Sequence, residues 1–226
     1  MNMRGAGRAE DAGAHMETAE TSKQALSSWI GPADRMPEAE VALRLAEYLS
    51  ERPRFGGHVE VAIDGASVRV AEAEVFDIVG YLAGAGWARD AEVTGKNAWA
   101  TLYRRGNATL RVHSRSGQGD VEATVNGRRI IAECKKGPLV KKPGSPEYPL
   151  LTTAIGQALL FDADEADLLV AAVPDTPSFR RIAEAWRNRP RLRASGIEIA
   201  LVSRSGFVSV SNRIEAQPPY RVEGWL

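Results

Sequence analysis

Asp120, Glu133 and Lys135 have the types and spacing that metal-assisted hydrolysis requires. They belong to the run Gly119-Asp120-Val121-Glu122-Ala123-Thr124-Val125-Asn126-Gly127-Arg128-Arg129-Ile130-Ile131-Ala132-Glu133-Cys134-Lys135. Side chains alternate along a strand, so Glu133 and Lys135 share one face while Ala132 and Cys134 share the other. Asn126-Gly127 is a strong two-residue hairpin signal, and the turn folds Asp120 back toward Glu133. A hard cation such as Mg²⁺, or Mn²⁺ in its place, takes a few oxygen ligands and keeps several waters. Asp120, Glu133 and the backbone carbonyl of Cys134 would supply such a half-shell. A metal held there would acidify a bound water and stabilise charge building on a phosphate. Lys135 would orient that water or neutralise the phosphoryl oxygens.

The surrounding sequence sets out the elements that must hold these groups. Residues 1–36 lack periodicity and read as a disordered tail. A helix from Pro37 to about Ser50 follows, then a hairpin of 58–63 with 67–70 about Asp64-Gly65. Residues 71–85 read as a helix, and 98–135 as a β-meander turning at Gly106-Asn107 and Asn126-Gly127. Residues 136–149 form a Lys, Pro and Gly loop. A helix over 149–161, a buried strand over 167–173, a helix over 177–193 and strands at 198–202 and 207–210 complete the chain. The expected fold is α/β, a mixed central sheet flanked by helices. Its domains are a tail (1–36), a helix and β-hairpin appendage (37–70), a core (71–212) and a C-terminal tail (213–226).

The acid, a gap of twelve residues, then Glu133-Cys134-Lys135 on the next strand resembles the PD-(D/E)xK nuclease superfamily, the restriction-endonuclease-like proteins, in its Mrr-type or Holliday-junction-resolvase-like branch. Gly119 stands where many members have proline. The resemblance implies a Mg²⁺-dependent endonuclease that hydrolyses phosphodiester bonds in DNA during restriction, defence, repair or recombination, with RNA as a second candidate substrate. It also implies a metal-reaching glutamate on the helix before the sheet, for which Glu74 is favoured over Glu72. A catalytic glutamine on the following helix falls on Gln157, with Phe161 four residues on in place of the usual tyrosine. A catalytically inactive nucleic-acid-binding or protein-interaction module on the same fold is the alternative.

Composition frames these expectations. Hydrophobic residues make up 44% and charged residues 26% of 226, the balance of a folded domain. One cysteine, Cys134, excludes an internal disulfide, and with three histidines it also excludes a multi-cysteine zinc site. No apolar run reaches membrane-spanning length and no signal segment is evident, so a cytoplasmic protein without membrane partners is expected. The net charge of zero hides an asymmetry, −7 over residues 1–95 and +7 over 96–226. Lys136, Lys141 and Lys142, leaving directly from Lys135, with Arg115 on the other side, are the candidate phosphate contacts. The arginines at 180, 181, 187, 189, 191 and 193 are a second basic group. His113 ends a strand near Asp120, and a structural role is its plainer reading. A homodimer or a partner protein is compatible with all of this.

Overall fold

A computed structural model describes residues 32–64, 69–70, 73–74, 76–91, 97–115, 119–140, 144, 146–210 and 214. The chain opens with a two-residue strand β1 (Arg35–Met36) and a helix α1 (Glu38–Ser50). Strand β2 (Phe55–Ala62) follows, then a small hairpin of β3 (Arg69–Val70) and β4 (Ala73–Glu74), a helix α2 (Ile78–Gly84) and β5 (Ala88–Arg89). Next come β6 (Leu102–Arg105), β7 (Ala108–His113), β8 (Val121–Val125), β9 (Arg128–Cys134) and β10 (Gly137–Pro138). Helix α3 (Glu147–Ala158), β11 (Leu168–Pro174), helices α4 (Pro177–Arg187) and α5 (Pro190–Ala194), β12 (Glu198–Val202) and β13 (Val208–Ser209) complete it.

Nine strands form one mixed sheet in the order β13-β12-β11-β9-β8-β2-β7-β6-β5. The hairpin β8–β9 keeps the expected register, with Val121 opposite Ala132 and Val125 opposite Arg128. Asn126 and Gly127 both take positive φ, 55° and 72°, as that turn demands. Strand β11 runs parallel to β9 because α3 carries the chain back across the sheet. Both faces of β9 and β11 are buried. Ala132, Cys134, Val170 and Ala172 belong to the cluster containing α1, and Ala171 and Val173 pack with Leu151, Ala154 and Phe179 of α3 and α4.

The segment expected as an appendage lies inside this core. Strand β2 pairs with both β8 and β7 and lies in the interior of the sheet, fourth from the β5 edge. Val41, Leu43, Leu45 and Leu49 of α1 are fully buried, each contributing about 1.5–3 kcal/mol of hydrophobic stabilisation. A thirteen-residue helix apolar on nearly all sides belongs between packed layers, not on the surface. The hairpin expected between 58–63 and 67–70 does not form. β2 takes other partners, Arg69–Val70 pairs with Ala73–Glu74, and Gly65 and Ser67 lie outside the described residues.

The helix expected over 71–85 starts only at Ile78. Asp77 caps it, its carboxylate accepting the Gly80 N–H at 2.9 Å, and the preceding Ala73–Glu74 is strand. The helix expected over 177–193 breaks before Pro190, which disfavours a helical Arg189 and has no N–H for the helix interior. Of the N-terminal tail, 32–36 are ordered by pairing Arg35 with Pro138 and Met36 with Gly137, while 1–31 lie outside the described residues. Among the described residues no helix is long and apolar enough to cross a membrane.

Candidate active site

Asp120 sits one residue before β8 and is fixed by its own backbone. Its N–H donates to the Ala132 carbonyl at 2.8 Å, and its carbonyl accepts the Ala62 N–H at 2.9 Å. Its carboxylate Oδ2 accepts the Cys134 N–H at 2.7 Å, closing the end of the β8–β9 ladder. The N–H and C=O of a strand residue leave by the same edge, so the Cys134 carbonyl also faces Asp120. Asp120 and Glu133 line one open cleft of about 370 Å³, together with Asp64, Ser114, Arg115 and Gly119. The hairpin thus brings the two carboxylates to one side of the sheet.

Gly119 makes this approach possible. Its φ is +149°, and a β-carbon there would lie 2.9 Å from Ile131 Cγ2 and 3.0 Å from the Ala132 carbonyl oxygen. Proline, whose φ is fixed near −65°, does not fit this conformation, so glycine at this position is a structural requirement. The ring of Phe161 also borders this position, at 3.3 Å from such a β-carbon.

Lys135 follows β9, and its ammonium pairs with Glu133 Oε1 at 2.5 Å. It also lies 3.8 Å from Glu38 Oε2, at the start of α1. The β1–β10 pairing builds this contact by joining the segment that enters α1 to the segment that leaves Lys135. The Leu139 N–H donates to the Asp34 carbonyl at 2.8 Å, and the backbone N–H of Lys136 donates to the Glu38 carboxylate. Gly137 has no room for a side chain, since a β-carbon would lie 2.7 Å from the Phe179 ring. The segment after Lys135 is therefore packed at its start and is not a free loop.

Glu38, in the first turn of α1, brings a third carboxylate beside Lys135. The glutamate expected on a helix before the sheet, Glu74, lies instead in β4 opposite Arg69, and Glu72 lies outside the described residues. The signal for Glu38 was its place in the first turn of an apolar helix. An acid there has an ordinary explanation in the helix dipole, which conceals a second role.

Three carboxylates share this site with the Lys135 ammonium. Burial, then the charge of Glu133, pushes Asp120 up to about 7, against the pull of the Cys134 N–H and of Lys135. Burial also raises Glu38, opposed by Lys135 and the Lys136 N–H. Burial acts to lower Lys135, but its hydrogen bond to Glu133 and the charges of Glu38, Glu133 and Asp120 outweigh it, and its pKa lies above the ordinary lysine value. Lys135 is thus a cation at neutral pH and not a general base. The Cys134 thiol is fully buried and raised well above its ordinary range by that burial, so it is inert.

Among the described residues, no group of three or more His, Cys, Asp or Glu is disposed to hold a metal ion. The donor set still fits a hard cation that keeps its waters. Asp120 and Glu133 offer carboxylate oxygens into one cleft, and burial, then the neighbouring Glu133 charge, disfavours ionised Asp120, a cost that a bound cation would offset.

Arg115 is exposed on the rim of this cleft, and Lys136 is exposed beside it in sequence. Lys141, Lys142 and the loop residues 116–118 lie outside the described residues. Gln157 is exposed on α3 and does not line the cleft, because Leu151, Ala154 and Ala158 take the sheet-facing side of that helix. His113 lies 3.7 Å from Glu60 on the neighbouring strand, not on Asp120. The second basic group is partly committed to the fold. Arg180 pairs with Asp175 and Arg187 donates to the carbonyls of Ile199 and Ser209, whereas Arg181, Arg189 and Arg191 are exposed. No family model, curated protein or solved structure matches this chain.

Proposed function

We propose that this protein is a Mg²⁺-dependent endonuclease of the restriction-endonuclease-like kind, hydrolysing phosphodiester bonds in DNA. The observation that carries the reading is the meeting of Asp120, Glu133, Lys135 and Glu38 at one end of the β8–β9 hairpin, with both hairpin acids opening on one cleft. A lysine beside a carboxylate cluster suits a reaction whose transition state gathers charge on phosphate oxygens.

Asp120, Glu133 and the Cys134 carbonyl would hold the metal, which when bound supplies an acidified water and Lewis-acid stabilisation. Metal binding would displace the proton from Asp120, so metal affinity would weaken as pH falls through about 7. Lys135, held by Glu133 and Glu38, presents a fixed positive charge to the attacked phosphate. Glu38 keeps that charge in place and adds a third carboxylate to the cluster. Arg115 and Lys136 would contact the backbone on either side of the cleft.

Cleavage of supercoiled plasmid with Mg²⁺ or Mn²⁺, with EDTA and Asp120→Ala as controls, tests this. Metal-dependent nicking lost in both controls is the expected result. Binding to DNA without cleavage under any metal would favour the inactive binding module on the same architecture, and neither activity would remove the reading.

A further inference from the structure

We infer that Arg204 is a positioning residue for this site, acting through Glu38 from the turn between β12 and β13; the inference rests on the nuclease reading above for its functional meaning. The guanidinium of Arg204 donates to Glu40 twice, Nε to Oε1 at 2.9 Å and Nη2 to Oε2 at 2.8 Å. The same Nη2 donates to the backbone carbonyls of Pro32 and Arg35, each at 2.9 Å. Glu40 is fully buried and also accepts Arg44 Nε at 3.0 Å. Arg44 in turn faces the Tyr81 ring at 5.1 Å.

The contacts of Arg204 bracket Glu38. Two lie before it, on the Pro32 and Arg35 carbonyls, and two lie after it, on the Glu40 side chain. Besides Arg204, this part of the chain is held by buried Met36 and by the Leu139 N–H on the Asp34 carbonyl. Pro37 is the N-cap of α1 and provides no side-chain cap, and the β1–β10 pairing is only two residues long. The segment must nevertheless be held, because the carboxylate of Glu38 reaches Lys135 and the Lys136 N–H from it.

A planar guanidinium suits the task, since its fixed fork engages a carboxylate and carbonyls in one geometry, which an ammonium cannot reproduce. Buried ion pairs are weak sources of stability compared with apolar replacements of similar volume. A bidentate pair here therefore has more to offer in geometry than in folding energy. Partners outside the ligand sphere of a metal site commonly change its affinity by about 10–100-fold.

The test uses the full-length protein and the paired substitution Arg204→Met with Glu40→Gln, which removes the latch while leaving an amide oxygen to accept the Arg44 Nε–H. Hydrogen exchange is read at the Lys136 amide without metal, and Mn²⁺ affinity is read by electron paramagnetic resonance. The expected result is faster Lys136 exchange and Mn²⁺ affinity weakened about tenfold. In a Glu38→Ala background the same pair should cost less than about twofold, because the residue through which the latch acts is gone. Arg204→Lys alone should fall short of wild type in both readouts.

Unchanged Lys136 exchange in the folded variant would overturn the inference. So would an equal loss of Mn²⁺ affinity with and without Glu38. If wild type binds no Mn²⁺, the metal reading of the site fails, and the exchange measurement alone decides whether Arg204 positions Glu38.

Discussion

Glu38 and Lys135 meet at 3.8 Å across the junction where the chain enters α1 and leaves β9. With Glu133 at 2.5 Å on its other side, Lys135 is held between two acids and kept charged. Lys135→Ala should therefore reduce cleavage by about 10²–10³-fold, the scale of losing one preorganised electrostatic contact in a transition state. DNA affinity should change little, since one lysine among many backbone contacts contributes a small share. Asp120→Ala should lose both metal binding and cleavage. Plasmid nicking beside a gel-shift titration separates the cases, and wild-type cleavage by Lys135→Ala would remove that residue from the mechanism.

Asp120 makes a stability prediction with a definite sign. Its pKa is about 7 in the folded protein against an ordinary value of 3.8. Between those values the folded state binds more protons than the unfolded chain, so this residue's contribution to stability falls as pH rises through the window. Asp120→Asn removes the charge, while its amide oxygen can still accept the Cys134 N–H. The metal-free variant should be on the order of 2 kcal/mol more stable than wild type above pH 7, with the gain vanishing toward pH 4. Denaturant unfolding in EDTA across that range is the measurement. A gain that did not vary with pH would show that the Asp120 charge is not the source of the cost.

Gly119 tests the backbone that delivers Asp120. Alanine there would carry a β-carbon into Ile131 and the Ala132 carbonyl, in a φ that L-residues avoid. Neither obstacle is the free end of a flexible side chain, so Gly119→Ala should cost about 2 kcal/mol or more in unfolding free energy. Gly127, also at positive φ but with nothing within 4 Å, should cost less for the same change. Equal losses at the two positions would mean that the conformation, not the close approach to β9, sets the requirement at Gly119.

The hairpin was legible because its signals are local. Asn126-Gly127 fixes a turn, the turn fixes a register, and the register places Asp120 beside Glu133. Glu38 was not legible by that route. Its position depends on pairing Met36 with Gly137, distant in sequence and only two residues long, with no periodicity to announce it. The helix of α1 was legible, but it was read as part of an appendage, because helical spacing does not say which layer would bury it. Strand β2 was assigned to a local hairpin because Asp64-Gly65 is a strong short-range signal. Tertiary pairing with β7 and β8 overrode it, because burying Val59 and Val61 in the middle of the sheet outweighs a local turn preference.

Lys136 is exposed, and its amide is tied to Glu38 while Gly137–Pro138 pairs with β1, so its side chain projects from a fixed backbone beside Lys135. Lys141 and Lys142 follow within the same basic stretch. Contacts from these lysines to phosphate would release counterions and make affinity fall steeply with salt, by a log–log slope of roughly 0.9 per contact on duplex DNA. Replacing Lys136, Lys141 and Lys142 together by Gln should weaken DNA binding and flatten that slope by roughly two to three units. Stability should change by less than about 1 kcal/mol, because exposed charges contribute little to folding. A salt titration of DNA affinity for wild type and triple variant reads the difference directly. Parallel slopes would show that the stretch does not touch phosphate, and the exposed Arg181, Arg189 and Arg191 would then be the next surface to neutralise.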